Sequence, residues 1–182
     1  TRERGNPFRG FFSRVSWLNS KMAGTQKVEI IVVHLLTQRK QTVALAESCT
    51  GGFIANRITN VPGASKIFRG GIVAYSNDAK QNLLGVRAET LEQHGAVSES
   101  VAREMAEGAR KKFGADFGIA VTGIAGPAGG TKLKPVGTVF IALAGTFGTA
   151  AERKLNFFPR EKFKEVTARQ ALEMLRTRLD CS

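Results

Sequence analysis

The stretch 46–52, AESCTGG, places small polar side chains and two glycines directly after an apolar run. A strand that turns into a helix at this point exposes hydroxyl groups beside helix N–H groups that lack partners within the helix. Such donors suit a phosphate or a developing oxyanion. An ordinary helix cap followed by a glycine turn is the alternative interpretation. The residues of this turn are Ser48, Cys49, Thr50, Gly51 and Gly52.

A phenol and an amine lie together in the stretch 70–80, GGIVAYSNDAK. The pattern predicts a strand that ends at Tyr75 and a helix whose first turn contains Lys80. Because the helix dipole disfavours a lysine at this end of a helix, the position of Lys80 suggests a functional role. A solvated surface lysine is the alternative.

These residue types suggest the chemistry of a serine hydrolase, which needs a nucleophile, a proton acceptor and oxyanion donors. Ser48 supplies the nucleophile, and no histidine stands out as its base, which disfavours a Ser-His-Asp triad. Lys80, with Tyr75 as a relay, could take the proton if a partly dry site lowers the lysine pKa. Cys49 is a rival nucleophile that also lacks an evident histidine partner.

A third candidate segment is the glycine-rich loop 122–131, TGIAGPAGGT, which follows a buried strand pattern. Its glycines leave the backbone N–H groups approachable by a ligand. The loop is neither a Walker loop nor a dinucleotide fingerprint, because no helix pattern follows it.

Composition limits the class of protein. The 182 residues fit one domain of ordinary size, and 42% of them are hydrophobic. No apolar run approaches the roughly 18 residues that span a bilayer, so we expect no membrane association. Two cysteines are too few for a disulfide framework and favour a reducing, cytoplasmic compartment. Without a Cys/His pairing, we also expect no structural zinc site.

The formal net charge of +12 is the one unusual feature of the composition. Part of it lies in residues 1–24, a basic extension without clear periodicity that suits a tag, a linker or a transit-like segment. A basic surface can attract nucleic acid or a phosphorylated metabolite. Nucleic-acid binding is the less favoured of these, because no aromatic-basic stacking pattern is present.

The hydrophobic periodicity predicts an α/β domain with a mixed sheet. The three candidate segments would then follow the carboxyl ends of strands, where ligands usually bind in such sheets. Predicted helices cover 25–40, 53–61, 78–84, 88–94, 98–113 and 160–179, and predicted strands cover 43–47, 72–75, 116–121, 136–144 and 151–158.

Four motifs resemble those of the CinA C-terminal domain family over roughly residues 25–180. They are AESCTGG at 46–52, GGIVAYSNDAK at 70–80, GAVSE at 95–99, and VTGIAGPAGG with KPVGTV at 121–139. The characterised members of this family include nicotinamide-nucleotide amidohydrolases. The resemblance implies one three-layer α/β/α domain, here 25–182, that hydrolyses the carboxamide of nicotinamide mononucleotide to nicotinic acid mononucleotide and ammonia.

The resemblance also implies roles for individual residues. Ser48, Tyr75 and Lys80 match the catalytic serine, tyrosine and lysine of the family. Phe158-Pro159-Arg160 stands where the family often has Gly-Asp-Arg, so Arg160 alone is carried over, and Lys164 lies near the place of a second arginine. The motifs imply neither a metal nor another cofactor. The expected substrate-binding residues are Cys49, Thr50, Gly51, Gly52, Thr122, Gly123, Ala125, Gly126 and Arg160.

Two other functions stay open from the sequence. The domain could hold a nucleotide without turning it over, since fold and motif can outlive activity. Less favoured is a nucleic-acid-associated protein that uses the basic charge. The expected partners are therefore a small nucleotide substrate and further copies of the chain in a homo-oligomer, of an order that the sequence does not give.

Overall fold

The computed structural model describes residues 27–181, so the basic extension 1–24 lies outside the described residues. The helices are α1 (Val28–Arg39), α2 (Phe53–Thr59), α3 (Asn77–Leu84), α4 (Ala88–His94), α5 (Glu99–Phe113) and α6 (Arg160–Asp180). The strands are β1 (Val43–Glu47), β2 (Phe68–Val73), β3 (Phe117–Gly123), β4 (Thr138–Gly145) and β5 (Gly148–Leu155). A short 3₁₀ turn, Ala64–Lys66, precedes β2.

The five strands form one mixed sheet in the order β2-β1-β3-β4-β5. The strands β2, β1 and β3 are parallel, whereas β4 and β5 run antiparallel to their neighbours. Glu47 at the end of β1 pairs with Val73 of β2 and with Val121 of β3. This register brings the carboxyl ends of three strands to one edge of the sheet, which is where the candidate segments begin.

The two faces of the sheet are covered by different helices. On one face, large aliphatic side chains such as Leu45, Ile119 and Ile141 pack with α1, α2 and α6. On the other face, alanines such as Ala46, Ala120 and Ala142 pack with α3, α4 and α5. Alternation of side chains along each buried strand separates the two sets. The prediction of a three-layer α/β/α domain with a mixed sheet is therefore confirmed.

Small residues let α5 approach the sheet and α3 closely. A Cβ atom on Gly118 of β3 would stand 2.1 Å from the Ala106 carbonyl oxygen of α5. A Cβ atom on Gly108 of α5 would stand 1.9 Å from the Leu84 carbonyl oxygen at the end of α3. Neither position can hold a side chain without a backbone shift, so glycine fixes the distance between α5 and its neighbours.

Two strand predictions were displaced along the chain. The strand predicted at 72–75 is β2, Phe68–Val73. Its hydrogen bonds to β1 include Gly70 and Gly71, which have a low strand propensity, and they stop before Tyr75. The strand predicted at 151–158 is β5, Gly148–Leu155, because a tight hairpin pairs Gly148 with Gly145. Within residues 27–181, no helix combines the length and apolar character needed to cross a membrane.

Candidate active site

Ser48 occupies a tight turn at the carboxyl edge of the sheet. Its N–H donates to the Val121 carbonyl at 3.1 Å, which extends the pairing of β1 and β3 by one residue. Its own carbonyl accepts from the Gly51 N–H at 3.1 Å, and this bond closes the turn. Gly51 and Gly52 have φ of +62° and +94°, a region that favours glycine. The backbone therefore holds the Ser48 hydroxyl at a defined position beside the sheet.

Lys80 approaches Ser48 from the first half of α3. Its Nζ lies 3.2 Å from Ser48 Oγ and donates to the carbonyl oxygens of Ala74 at 2.9 Å and Tyr75 at 3.4 Å. The residue is only 1% exposed. The Ser76 side chain caps the helix by accepting from the Ala79 N–H at 3.1 Å, which fixes the turn that precedes the lysine. The alternative of a solvated surface lysine is thus wrong.

The charge state of Lys80 is governed by this burial. Among residues 27–181, no carboxylate forms an ion pair with its ammonium group. Burial lowers the Lys80 pKa, and the nearby Cys49 thiol opposes that effect only in part. A neutral amine at hydrogen-bond distance from a serine hydroxyl can accept its proton. The pair therefore has the geometry of a nucleophile and its general base.

Cys49 has the opposite character. Its side chain is buried, and this burial raises the pKa of the thiol to about 12 against the opposing effect of its own backbone N–H. Because the thiolate is the reactive form of cysteine, Cys49 is protonated and poorly nucleophilic at neutral pH. The raised pKa of the Cys49 thiol thus favours Ser48 as the nucleophile.

A cleft of about 290 Å³ opens in front of Ser48 and Lys80. Of the predicted site residues, the cleft is lined by Ser48, Cys49, Tyr75, Lys80, Thr122, Gly123, Ala125, Gly126 and Arg160. Three further lining residues, Ile124, Ala128 and Gly129, belong to the candidate loop 122–131, whereas Asn77, Ala96 and Val97 were not predicted as site residues. Ala96 and Val97 lie in the GAVSE motif, for which the resemblance implied no role. A larger groove of about 600 Å³ along α5 holds none of the predicted site residues.

Three predicted substrate-binding residues, Thr50, Gly51 and Gly52, do not line the cleft. The reason is the carboxylate of Glu47, which folds back over the turn. It accepts hydrogen bonds from the Thr50 hydroxyl at 2.7 Å and from the Gly52 N–H at 3.0 Å. It also accepts from Ile54 and Ala55, so the first turn of α2 binds a residue of the chain and not a ligand.

The position of Glu47, shortly before the predicted helix 53–61, was the sequence signal for this contact, because acidic side chains favour helix N-termini. The expectation that helix N–H groups supply oxyanion donors is corrected accordingly. Within residues 27–181, the Thr50 N–H has no acceptor and the Cys49 N–H contacts only its own thiol. These two groups of the turn, and not those of α2, are free to bind an oxyanion.

Tyr75 lies at the mouth of the cleft with 60% of its surface exposed. Its hydroxyl accepts a hydrogen bond of 2.6 Å from Arg160, whose guanidinium also donates to the Gly126 carbonyl at 3.0 Å. Arg160 therefore connects the segment after β2 with the glycine-rich loop. The phenol is bonded to Arg160 and not to Ser48 or Lys80, so the structure differs from the predicted relay: the serine and the lysine are in direct contact.

The opposite wall of the cleft is held by Thr122. Its hydroxyl donates to the Ala96 carbonyl at 2.7 Å, which ties the segment before α5 to the end of β3. Lys134 makes a second tie to the same region, since its Nζ donates to the His94 carbonyl at 2.8 Å. Within the described part of the chain, no group of three or more His, Cys, Asp or Glu side chains could hold a metal ion.

Fold and site together define an α/β/α protein with a serine–lysine pair in a cleft at the carboxyl edge of its sheet. Residues 25–179 match the model of the CinA C-terminal domain. The chain belongs to this family, as the motifs predicted.

Solved structures and curated relatives agree with this assignment. The competence/damage inducible protein CihA of Agrobacterium tumefaciens is 40% identical with a TM-score of 0.80, over 86% of this chain and 97% of that one. A CinA superfamily protein of Klebsiella pneumoniae is 35% identical with a TM-score of 0.82, over 85% and 97% of the two chains. A CinA-like protein of Anaeromyxobacter sp. (strain K) is 51% identical over 156 residues, 86% of this chain but 38% of the relative. The chain thus spans well under half the length of that curated relative.

Proposed function

We propose that this chain is an amidase that hydrolyses the carboxamide of nicotinamide mononucleotide to nicotinic acid mononucleotide and ammonia. The observation that carries the proposal is the buried contact of 3.2 Å between Lys80 Nζ and Ser48 Oγ. The names of the relatives, CinA-like or competence-damage inducible, state no reaction. The proposal therefore depends on the geometry of the cleft together with the resemblance of the motifs.

The first half of the reaction forms an ester. Ser48 Oγ attacks the carboxamide carbon while neutral Lys80 takes the hydroxyl proton. The oxyanion of the tetrahedral intermediate accepts hydrogen bonds from the N–H groups of the Ser48 turn. Lys80 then gives its proton to the departing nitrogen, the C–N bond breaks, and ammonia leaves a nicotinoyl ester on Ser48.

The second half releases the acid. Water attacks the ester carbon, and Lys80, neutral again, takes the water proton. The bond between the carbon and Ser48 Oγ breaks as Lys80 returns the proton to the serine. Nicotinic acid mononucleotide leaves, and the enzyme regains its starting state.

The charges of the site suit this substrate. In nicotinamide mononucleotide the carboxamide is attached to a positively charged pyridinium ring, which draws electrons from the carbonyl carbon and eases nucleophilic attack. The same ring disfavours a proton on a buried amine nearby, so it helps to keep Lys80 neutral. At the mouth of the cleft, Arg160 and the backbone of the glycine-rich loop are suited to the 5′-phosphate.

The test is ammonia release from nicotinamide mononucleotide by the purified chain. We expect turnover by the wild type, loss of detectable turnover in Ser48→Ala, and a loss of about 10²–10⁴ in rate in Lys80→Met. Ser100→Ala and Lys112→Met, two variants on α5 away from the cleft, are the matched controls. Wild-type turnover in Ser48→Ala would overturn the proposal. Saturable binding of the mononucleotide without product would identify a nucleotide-binding domain instead.

A further inference from the structure

Glu47 is a buried carboxylate for which the proposed reaction has no direct use. It is 2% exposed, is the last paired residue of β1 and directly precedes the nucleophile Ser48. In the described part of the chain it forms no ion pair with any lysine or arginine. A buried charge without a cation is costly unless hydrogen bonds compensate it, so its four donors must matter for the local structure.

Those four donors lie within residues 50–55, in the Ser48 turn and in the first turn of α2. Oε2 accepts from the Thr50 hydroxyl at 2.7 Å, from the Gly52 N–H at 3.0 Å and from the Ile54 N–H at 3.1 Å. Oε1 accepts from the Ala55 N–H at 2.8 Å. One carboxylate thus binds the middle of the Ser48 turn and the first turn of α2 at once. Charge-assisted bonds of this kind are short and directional, so the turn is clamped between strand and helix.

The clamp has a consequence for the backbone donors. Glu47 accepts hydrogen bonds from the N–H groups at the start of α2, which would otherwise compete for an anion, and it fixes the side chain of Thr50. The N–H groups of Cys49 and Thr50 are left without a bond to any other residue of 27–181. Preorganised donors of this type stabilise an oxyanion because they need not reorient during the reaction.

We infer that Glu47 is a positioning residue, which holds Ser48 and the N–H groups of its turn in the geometry needed for acyl transfer. The inference rests on the proposed amide hydrolysis. Glu47 itself touches neither substrate nor reacting atoms, and it acts through Thr50 and the backbone of the turn. Its loss should therefore lower kcat and leave nucleotide binding nearly unchanged.

The primary test is Glu47→Gln, which keeps the shape but turns an amide NH₂ group toward N–H donors. We expect kcat for nicotinamide mononucleotide to fall by about 10²–10³, the effect of losing an oxyanion donor. The dissociation constant, measured in Ser48→Ala with and without Glu47→Gln, should stay within about threefold, which separates chemistry from binding. A kcat within about twofold of wild type, or parallel losses of kcat and binding, would overturn the inference.

A gentler variant keeps the test valid if Glu47→Gln fails to fold. Thr50→Val is isosteric and removes one donor to Glu47, so we expect a loss of about tenfold in kcat together with a modest fall in the thermal midpoint. Thr50→Ser keeps the hydroxyl and should restore most of the rate, which a purely structural role would not produce. Thr177→Val, at an exposed position of α6, is the matched control. Equal rates in Thr50→Val and Thr50→Ser would overturn the inference.

A second readout separates this inference from the proposed substrate. With diisopropyl fluorophosphate, Ser48 Oγ bonds to phosphorus, the P–F bond breaks, fluoride leaves, and the serine proton passes to Lys80. Intact-mass measurements should show slower labelling of Ser48 in Glu47→Gln and Thr50→Val. A wild type that labels but releases no ammonia would refute the substrate and still test Glu47 by its labelling rate. A wild type that does neither would overturn both proposals.

Discussion

The hydroxyl of Tyr75 accepts a hydrogen bond of 2.6 Å from Arg160, a residue 85 positions further along the chain. Tyr75 lies in the connection between β2 and α3 and Arg160 begins α6, so this bond joins two distant segments across the mouth of the cleft. Both residues line the cleft in front of the buried serine–lysine pair. The phenol therefore orients the guanidinium toward the space that a substrate would occupy.

Removal of that hydroxyl should affect substrate binding more than chemistry. In Tyr75→Phe we expect KM to rise by about three- to thirtyfold, the range for loss of one hydrogen bond to a charged group in a partly exposed site. We expect kcat to change by less than about tenfold, because Ser48 and Lys80 are in direct contact. Steady-state kinetics with nicotinamide mononucleotide measure both constants. A fall in kcat of about 10²–10⁴ at constant KM would show that Tyr75 is a proton relay after all.

The rate should depend on pH through Lys80. Burial lowers the Lys80 pKa below its ordinary value of 10.5, and the neutral amine is the form that accepts the serine proton. We therefore expect kcat/KM to rise with pH through the lowered pKa and then to level off. A pH profile of the wild type measures this, and Ser100→Ala should give the same profile. An inflection at or above 10.5 would contradict an active-site role for Lys80.

The two cysteines should differ sharply in reactivity. Cys49 is buried with a thiol pKa of about 12, whereas Cys181 is exposed. Because thiol reagents attack the thiolate, the folded protein should react at Cys181 alone, and the unfolded protein at both residues. Titration with a chromogenic disulfide measures the count. Native Cys181→Ser should not react, and rapid modification of Cys49 in that variant would revive it as a candidate nucleophile.

The packing of α5 against α3 should tolerate no side chain at position 108. In an exposed helix, Gly→Ala stabilises by about 1 kcal/mol. At Gly108 the new Cβ would collide with the Leu84 carbonyl oxygen, so we expect Gly108→Ala to destabilise by about 1–3 kcal/mol. Thermal or urea unfolding measures the change, and Ser100→Ala on the same helix should be nearly neutral. A raised midpoint for Gly108→Ala would show that α5 is free to move.

The sequence determined the local elements and the family. Hydrophobic periodicity is a property of neighbouring residues, so it predicted the helices α1 to α6 and the strands β1, β3 and β4 to within about three residues. The glycines after Ser48 marked the turn because few other residues adopt a positive φ. The motif positions also predicted Ser48 and Lys80 as catalytic residues.

Only the tertiary structure decided which of these groups meet. Parallel pairing aligned Glu47 with Val73, and this alignment brought the segment that ends in Lys80 beside Ser48, 32 residues away. The same long-range pairing includes Gly70 and Gly71 in β2, although glycine has a low intrinsic preference for strands. The fold around that edge also turned the Glu47 carboxylate onto Thr50 and bonded Tyr75 to Arg160. Register and side-chain direction follow from hydrogen bonds between distant segments, and periodicity within one segment carries no information about them.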